Sequence, residues 1–180
     1  MTIVRLATAT DSQQIAELIA EAFEKSEFGH QGEAALPAAA VASHAPFLSL
    51  VAVEDERIVG HILFTAAKLS KSGNVVCGMG LAPLAVHPDF QTRGIGLRLM
   101  QAGLQMVWEN GAQFAIVLGS PGYYSRVGFR SAANWNIQHG FEGLPQEYLQ
   151  IQFRDGTPGE KFVGYQAFYA DIFGRQHITT

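Results

Sequence analysis

Two apolar runs separated by a helical pattern lie in the middle of the chain, and their order constrains the fold more than any other feature. The first run covers residues 75–86, the helical pattern covers residues 99–108, and the second run is FAIVL, residues 114–118. A strand, a helix and a strand in this order form a crossover connection, which makes the two strands parallel. The sequence therefore predicts one βαβ unit, whose helix ends at Asn110 and Gly111.

The residues before this unit predict an antiparallel sheet. Residues 2–6 indicate a short opening strand, and residues 47–53 and 58–69 are apolar runs joined by the charged tetrapeptide EDER, as in a hairpin. The turn SKSGN, residues 70–74, leads from the hairpin into the first strand of the βαβ unit. This combination is typical of an α+β protein with a mixed, mostly antiparallel sheet.

Helices and further strands are predicted on both sides of these elements. Residues 15–23 carry apolar side chains at helical spacing, and an alanine-rich stretch around Pro37 indicates a second helix. Pro121 begins a short helical segment that Gly128 ends. The last part of the chain predicts more strands, and its aromatic residues are expected to be exposed and to support a homodimer; they are Phe141, Tyr148, Phe153, Phe162, Tyr165, Phe168 and Tyr169.

Composition narrows the classes of function. The chain has 180 residues, of which 48% are hydrophobic and 16% charged, and we expect one globular domain over residues 1–180. Its net charge of −4 disfavours nucleic-acid binding, which depends on clustered Lys and Arg. The six histidines show no metal-ligand spacing, so no metal is expected. A single cysteine, no leader-like start and no membrane-length apolar run predict a soluble, cytoplasmic protein.

A glycine-rich loop joins the first strand of the βαβ unit to its helix. The segment QTRGIG, residues 91–96, places Gly94 and Gly96 at the helix start. Helix starts carry N–H groups without partners and the positive end of the helix dipole, and together these bind pyrophosphate. A P-loop is excluded because no Gly-Lys-Ser/Thr is present, and a dinucleotide loop is disfavoured because Leu99 replaces its third glycine. A phosphate-binding loop and an ordinary tight turn both remain open for these six residues.

The residues that flank the loop favour a phosphate-binding loop over an ordinary tight turn. The segments LAVHPDFQTRGIG and LGSPGYYSRVGF, with GLAPLAVHP and VGYQAFY, resemble the GNAT superfamily of acyl-CoA-dependent N-acetyltransferases, and most closely its YhbS-like bacterial branch. The resemblance is strong over residues 81–129, and the order of predicted elements matches over nearly the whole chain. It implies the GNAT fold, an α+β fold with one central βαβ unit and helices on both faces of the sheet. It also implies acetyl-CoA, or coenzyme A, as the acyl-donor cosubstrate.

The resemblance further implies where the cosubstrate binds. Its pyrophosphate would bind the backbone N–H groups of the loop, which belong to Arg93, Gly94, Ile95 and Gly96, with Gln91 and Thr92 at the entrance. Its pantetheine arm would run beside the strand residues Leu84, Ala85 and Val86. A strand N–H group would also donate to the thioester oxygen as negative charge develops there.

The sequence offers a candidate for the catalytic acid but none of the expected type for the base. The tyrosine of the family's Tyr-x-x-x-Gly-Phe segment falls on Tyr124, so the resemblance implies that Tyr124 protonates or hydrogen-bonds the departing thiolate. A phenol with a pKa of about 10 stays protonated at neutral pH, which suits this role. Some members of the superfamily carry a basic glutamate where this chain has Gly80. Glu54, Glu56 and His61 are the nearest substitutes, and His61 is more simply interpreted as a half-buried histidine.

These observations predict the transfer of an acetyl or other acyl group to a primary amine of a small molecule or peptide, by direct attack in a ternary complex. A non-catalytic acyl-CoA-binding regulatory or partner module is the main alternative, because the strand glutamate is missing. Acyl transfer through Cys77 and a nucleotide-binding domain are less favoured. The acceptor is expected to contact residues 23–47 and 134–160, which contain no interpretable motif.

Overall fold

A computed structural model describes residues 1–24, 33–155, 157 and 159–174. The described helices are α1 (Ser12–Phe23), α2 (Leu36–Ser43), α3 (Ile95–Glu109) and α4 (Pro121–Tyr124). The described strands are β1 (Ile3–Leu6), β2 (Phe47–Glu54), β3 (Arg57–Lys71), β4 (Asn74–Val86), β5 (Phe114–Leu118), β6 (Arg130–Ser131), β7 (Gln138–His139), β8 (Leu149–Phe153) and β9 (Gln166–Tyr169). The chain forms two compact units: Met1–Phe64 with Ala82–Gln105, and Thr65–Leu81 with Met106–Thr180. The expectation of one domain stays a prediction.

In the first unit β1, β2, β3 and β4 are neighbours in chain order. β1 pairs antiparallel with β2, so that Ile3 lies opposite Val53 and Leu6 opposite Leu50. The turn between β2 and β3 contains two consecutive residues with positive φ, at 48° and 63°. Two left-handed residues give a hairpin turn the twist that matches its strands. The hairpin predicted from EDER is confirmed.

One face of α1 forms a core with the sheet of the first unit. Ile15, Leu18 and Ile19 are buried at helical spacing and pack with Val51 and Ile58. Three large aliphatic side chains removed from water stabilise the fold by roughly 1.5–3 kcal/mol each. The polar residues Ser-Gln-Gln at the start of the helix lie on its exposed side, away from this core.

The start of α1 is held by a buried carboxylate. Asp11 accepts a hydrogen bond of 2.7 Å from the Thr8 N–H group and forms a 2.7 Å ion pair with Arg5. The hydrogen-bonded Arg5 guanidinium holds the pKa of Asp11 far below its usual range. A carboxylate at this place is also favoured by the helix dipole.

α3 approaches the sheet closely because glycines stand at the contact. A Cβ atom on Gly60 of β3 would lie 2.9 Å from Cγ2 of Ile95 and 2.9 Å from Cδ1 of Leu99. A Cβ atom on Gly103 would lie 2.4 Å from Cε2 of Phe64. All three distances are far below the 3.5–4.0 Å of an ordinary carbon contact, so α3 rests directly on β3 at these glycines.

The second unit contains the parallel pair expected from the βαβ pattern. Met79 of β4 lies opposite Ala115 of β5, and Leu81 lies opposite Val117. β5 pairs antiparallel with β8 and β8 with β6, while β9 pairs antiparallel with β3 and parallel with β7. The sheet is therefore mixed and mostly antiparallel, as predicted.

The aromatic residues of the second unit pack against one another. Phe153 lies between Trp135 and Phe162, with ring centroids 5.1 Å and 5.2 Å apart, and Phe141 lies 5.8 Å from Tyr169. All seven aromatic residues expected to be exposed are buried or half-buried. That expectation is wrong, because strands and turns that are distant in sequence bring several of these rings into contact with one another.

Candidate active site

A short turn leads from β4 into α3. β4 ends at Val86, and Pro88–Phe90 form one turn of 3-10 helix capped by His87. The His87 Nδ1 atom accepts a hydrogen bond of 3.2 Å from the Asp89 N–H group. His87 is therefore a turn residue whose side chain caps the 3-10 helix.

The start of α3 presents backbone N–H groups without helical partners. The Gly94 carbonyl accepts the first helical hydrogen bond, 3.1 Å long, from the Arg98 N–H group. The N–H groups of Ile95, Gly96 and Leu97 precede that first donor, so the helix offers them no acceptor. Gly94 has φ 76°, and a Cβ atom added there would meet no heavy atom within 4 Å. Gly94 thus leaves open space for an anion immediately before the helix start.

Side-chain hydrogen bonds hold this loop in place. The Gln91 side-chain amide donates to the Val86 carbonyl at 3.1 Å, and the Arg93 guanidinium donates to the Asp89 carbonyl at 2.8 Å. Thr92 has φ 63°, which is unusual for a β-branched residue and costs about 1–3 kcal/mol. Such backbone strain is common where a protein clamps a ligand.

Charged residues surround the loop. Arg93 and Arg98 are exposed and add positive charge to that of the helix dipole. A hydrogen bond from the Thr2 hydroxyl lowers the pKa of Glu54, and the charges of Arg93 and Arg98 lower it further. Glu54, one of the three predicted substitutes for the base, therefore lies within the field of the two loop arginines.

The end of β4 alternates between core and partly open positions. Ala85 is 2% exposed and belongs to the core formed with α1, whereas Leu84 and Val86 are half-buried. The residues predicted to bind the cosubstrate thus all lie on β4, the loop and the first turn of α3, within the first unit. Their contact with a cosubstrate stays a prediction.

Tyr124 lies in the second unit, on α4. Its ring contacts Tyr123 and Phe129, with centroids 5.2 Å and 5.9 Å away, and a Cβ atom on Gly119 would lie 2.4 Å from its Cε2 atom. Burial, and to a lesser degree the neighbouring Tyr123, raise the pKa of Tyr124 above its usual value. A phenol in this state donates a hydrogen bond at neutral pH and cannot act as a base.

His61 differs from its predicted description. The side chain is fully buried, not half-buried, and its Nε2 atom lies 2.9 Å from the Ser49 hydroxyl. Burial lowers the pKa of His61 to about 4, so the imidazole is neutral at pH 7. Ser49 lies on the neighbouring strand β2, and a local sequence pattern does not identify such a cross-strand contact.

The contact between Gly80 and Tyr169 was not predicted. A Cβ atom on Gly80 would lie 2.6 Å from Cδ1 and Cε1 of the Tyr169 ring. A glycine inside a strand signals a close approach by another group, but it does not identify that group. The position where a glutamate was sought is therefore covered by an aromatic ring.

Two properties concern the described residues as a group. None of their helices is long and apolar enough to cross a bilayer, and they contain no cluster of three or more His, Cys, Asp or Glu side chains that could hold a metal ion. The two segments expected to contact the acceptor are only partly covered, because residues 25–32, 156 and 158 lie outside the described residues.

The mixed, mostly antiparallel sheet with one central βαβ unit and helices defines the class of α+β acyltransferase folds. The chain belongs to the GNAT family, because residues 3–132 match the family described as acetyltransferase (GNAT) domain. The family and fold predicted from the sequence are confirmed.

Two curated relatives come from Escherichia coli. The chain is 38% identical to the uncharacterized N-acetyltransferase YjhQ over 127 residues, which is 69% of this chain and 67% of YjhQ. It is 30% identical to the uncharacterized N-acetyltransferase YhbS over 109 residues, which is 60% of this chain and 64% of YhbS. The similarity thus spans about two thirds of each relative.

Two similar crystal structures contain the predicted cosubstrate. E. coli YhbS in complex with CoA has a TM-score of 0.85 and 27% identity, and the match covers 97% of this chain and 92% of YhbS. A GNAT family acetyltransferase from Brucella melitensis in complex with acetyl-CoA has a TM-score of 0.77 and 28% identity, with coverage of 96% and 98%. Both complexes support the prediction of a coenzyme A cosubstrate.

Proposed function

We propose that this protein transfers an acetyl group from acetyl-CoA to an amine by direct attack within a ternary complex. The observation that carries the proposal is the open start of α3, where Gly94 accepts the first helical hydrogen bond and leaves three N–H groups for an anion. The diphosphate of acetyl-CoA binds these groups, and Arg93 and Arg98 add positive charge. The CoA and acetyl-CoA complexes of two similar proteins support this assignment.

The pantetheine arm runs along β4 beside Leu84, Ala85 and Val86. Its amides form hydrogen bonds with the strand backbone, as another strand would, and a β4 N–H group stabilises the developing oxyanion. Tyr124 donates a hydrogen bond to the departing sulfur. Its raised pKa favours this hydrogen bond over complete proton transfer, because the phenol is a weaker acid than a thiol.

A paired substitution tests the diphosphate site. Gly94→Asn keeps a residue type that tolerates positive φ but places a side chain in the space that the diphosphate needs. We expect CoA affinity, measured by calorimetry, to fall at least tenfold. Gly111→Asn is the matched control, because Gly111 also has positive φ, 85°, and open space around its missing Cβ. Equal CoA affinities of the two variants, at equal thermal stability, would contradict the proposal.

The alternative of a non-catalytic acyl-CoA-binding module is favoured by one observation, the aromatic ring that covers Gly80. Free-thiol release from acetyl-CoA in the presence of an amine panel separates the two functions. An enzyme releases thiol, and Tyr124→Phe lowers kcat about 10²-fold or more while the Kd for CoA stays within twofold. A binding module binds CoA equally well and releases none.

We also propose a cytoplasmic location and a homodimer. Because the seven aromatic residues are buried or half-buried, the dimer would use another surface. Analytical ultracentrifugation with and without CoA tests the dimer.

A further inference from the structure

His87 lies at the turn between β4 and the glycine-rich loop, where three parts of the first unit meet. Its backbone N–H group donates a 3.0 Å hydrogen bond to the Val59 carbonyl of β3, and its side chain is 10% exposed. The imidazole ring contacts Glu21 of α1, Arg57 at the start of β3 and Asp89 of the turn. The proposed function gives this side chain no role.

The polar groups around the imidazole ring differ in their hydrogen-bonding capacity. The Asp89 N–H group, 3.2 Å from Nδ1, and the Arg57 guanidinium, whose Nη2 atom is 2.6 Å from Nε2, can only donate. The Glu21 carboxylate, whose Oε2 atom is 3.0 Å from Nε2, can only accept when it is ionised. A neutral imidazole has one donor nitrogen and one acceptor nitrogen, so it cannot satisfy all three neighbours.

The number of hydrogen bonds that each form of the ring can make favours one tautomer. With the proton on Nε2, the ring donates to Glu21 and accepts from the Asp89 N–H group. With the proton on Nδ1, the ring accepts from Arg57 only, because the Asp89 N–H group then faces another donor. The doubly protonated ring donates to Glu21 only, since the Asp89 carboxylate is 3.9 Å from Nδ1. Glu21 is therefore the group that favours the Nε2–H tautomer.

The hydrogen bond from the Asp89 N–H group bears on the loop because the turn holds a loop arginine. The Asp89 carbonyl accepts a 2.8 Å hydrogen bond from the Arg93 guanidinium, which also lies 4.8 Å from the centre of the Phe90 ring. The Phe90 ring makes a T-shaped contact with His87, with centroids 5.6 Å apart. A chain of contacts thus runs from Glu21 through His87 to Arg93, which adds positive charge at the diphosphate site under the proposed function.

We propose that Glu21 and His87 are positioning residues for the diphosphate of CoA. Glu21 holds His87 in the Nε2–H tautomer, and the Nδ1 atom then fixes the turn that places Arg93 and the start of α3. This inference rests on the proposed function, because CoA is the ligand whose diphosphate the turn positions. Both side chains act through the turn and not on the reacting atoms, so their effect is expected in the affinity for CoA.

Two variants of His87 test the role of the Nδ1 atom. His87→Asn keeps a side-chain oxygen that can accept from the N–H group two residues further on, as in an Asx turn, whereas His87→Ala keeps no acceptor. We expect His87→Ala to raise the Kd for CoA, measured by calorimetry at pH 8, about threefold to tenfold, which corresponds to the loss of one hydrogen bond. His87→Asn should bind CoA within twofold of the wild type.

Two variants of Glu21 test the tautomer. Glu21→Gln and Glu21→Leu remove the same charge, but only the glutamine carbonyl can still accept from Nε2–H. In Glu21→Leu the charge-assisted hydrogen bond from Arg57 outweighs the neutral one from Asp89, so the proton moves to Nδ1. At pH 8, above the ordinary titration range of histidine, we expect NMR of the imidazole nitrogens to show the Nε2–H form in the wild type and in Glu21→Gln, and the Nδ1–H form in Glu21→Leu. The Kd for CoA should be about threefold to tenfold higher in Glu21→Leu than in Glu21→Gln.

The outcomes separate this inference from the proposed function. His87→Ala with wild-type affinity, or His87→Asn as weak as His87→Ala, overturns the role of the Nδ1 atom. The signals of His87 are assigned by their loss in His87→Asn, and an Nδ1–H form in the wild type, or equal spectra and Kd values for the two Glu21 variants, overturns the role of Glu21. If His87→Ala does not fold, the Glu21 pair still decides. Failure of the wild type to bind CoA overturns the proposed function instead.

Discussion

The contact between β3 and the start of α3 predicts that a single methyl group on Gly60 will weaken CoA binding at a distance from the loop. A Cβ atom there would lie 2.9 Å from Ile95 Cγ2, 2.9 Å from Leu99 Cδ1 and 3.3 Å from Ala52 Cβ. The Leu99 methyl group can rotate away. The Ile95 methyl group sits on a branched Cβ atom and has little rotamer freedom in a helix. The first turn of α3 must therefore move outwards by about 0.5–1 Å to reach ordinary contact distance.

This displacement should change both the free energy of unfolding and the free energy of CoA binding. Overpacking costs about 1–3 kcal/mol, and the lower entropy of an unfolded chain with alanine returns about 0.4–1 kcal/mol. We expect a net loss of about 1–2 kcal/mol in the free energy of unfolding. Hydrogen bonds to a charged group contribute about 1.5–3 kcal/mol each, so weakening the amide contacts by half of one bond raises the Kd for CoA roughly fivefold.

Urea denaturation and calorimetry with CoA measure the two effects on the same samples. Gly111→Ala is the control, because it strains a residue with φ 85° at the other end of α3 without meeting any atom within 4 Å. It should lower stability by a similar amount and leave the Kd for CoA unchanged. An unchanged Kd in Gly60→Ala despite a loss of stability would show that the position of the first turn does not control binding.

Three further predictions concern stability. Asp11→Asn should lower the free energy of unfolding by about 1–3 kcal/mol at pH 7, because it removes a charge-assisted pair with Arg5. The difference between wild type and variant should shrink below about pH 4. The pKa of Asp11 is lowered in the folded state, so its stabilising contribution is present above the unfolded pKa and is lost as the pH falls. For His61, unfolding takes up a proton between about pH 6.5 and 4, so the free energy of unfolding decreases as the pH falls through that window. In urea titrations at several pH values, His61→Leu should reduce the dependence of this free energy on pH by up to about 1.4 kcal/mol per pH unit. Gly80→Ala should destabilise the protein by about 1–3 kcal/mol, and the cost should fall below about 1 kcal/mol in a Tyr169→Leu background. An undiminished cost in that background would show that the ring is not the obstacle.

The parts of the fold that the sequence predicts are those with local signals. Alternating apolar runs, the EDER turn and Gly111 determine their own conformation within a few residues, so the hairpin, β4, α3 and β5 are found near their predicted bounds. The loop after Val86 is likewise encoded locally by its two glycines. The parallel pair follows from the order of the elements.

The features that were missed depend on residues far apart in the chain. Tyr169 covers Gly80 across 89 residues, and the buried His61 contacts Ser49 of the neighbouring strand. Whether an aromatic residue near the C-terminus is exposed depends on the strands against which it packs. The strands of the second unit are too short to show a clear alternation of apolar and polar residues. The roles of Tyr124 and of the nine cosubstrate-binding residues stay predictions for a different reason. Backbone groups and a single phenol leave little trace in the sequence.

The hydrogen bonds from Gln91 to Val86 and from Arg93 to Asp89 connect the turn to its own flanks before any ligand arrives. Because these hydrogen bonds form without a ligand, we expect the loop to need little further ordering when the donor enters. Association can then proceed at the rate of simple encounter, with small activation barriers and little dependence on temperature beyond that of diffusion. The loss of loop entropy occurs once, while the chain folds, and is not repeated in every catalytic cycle.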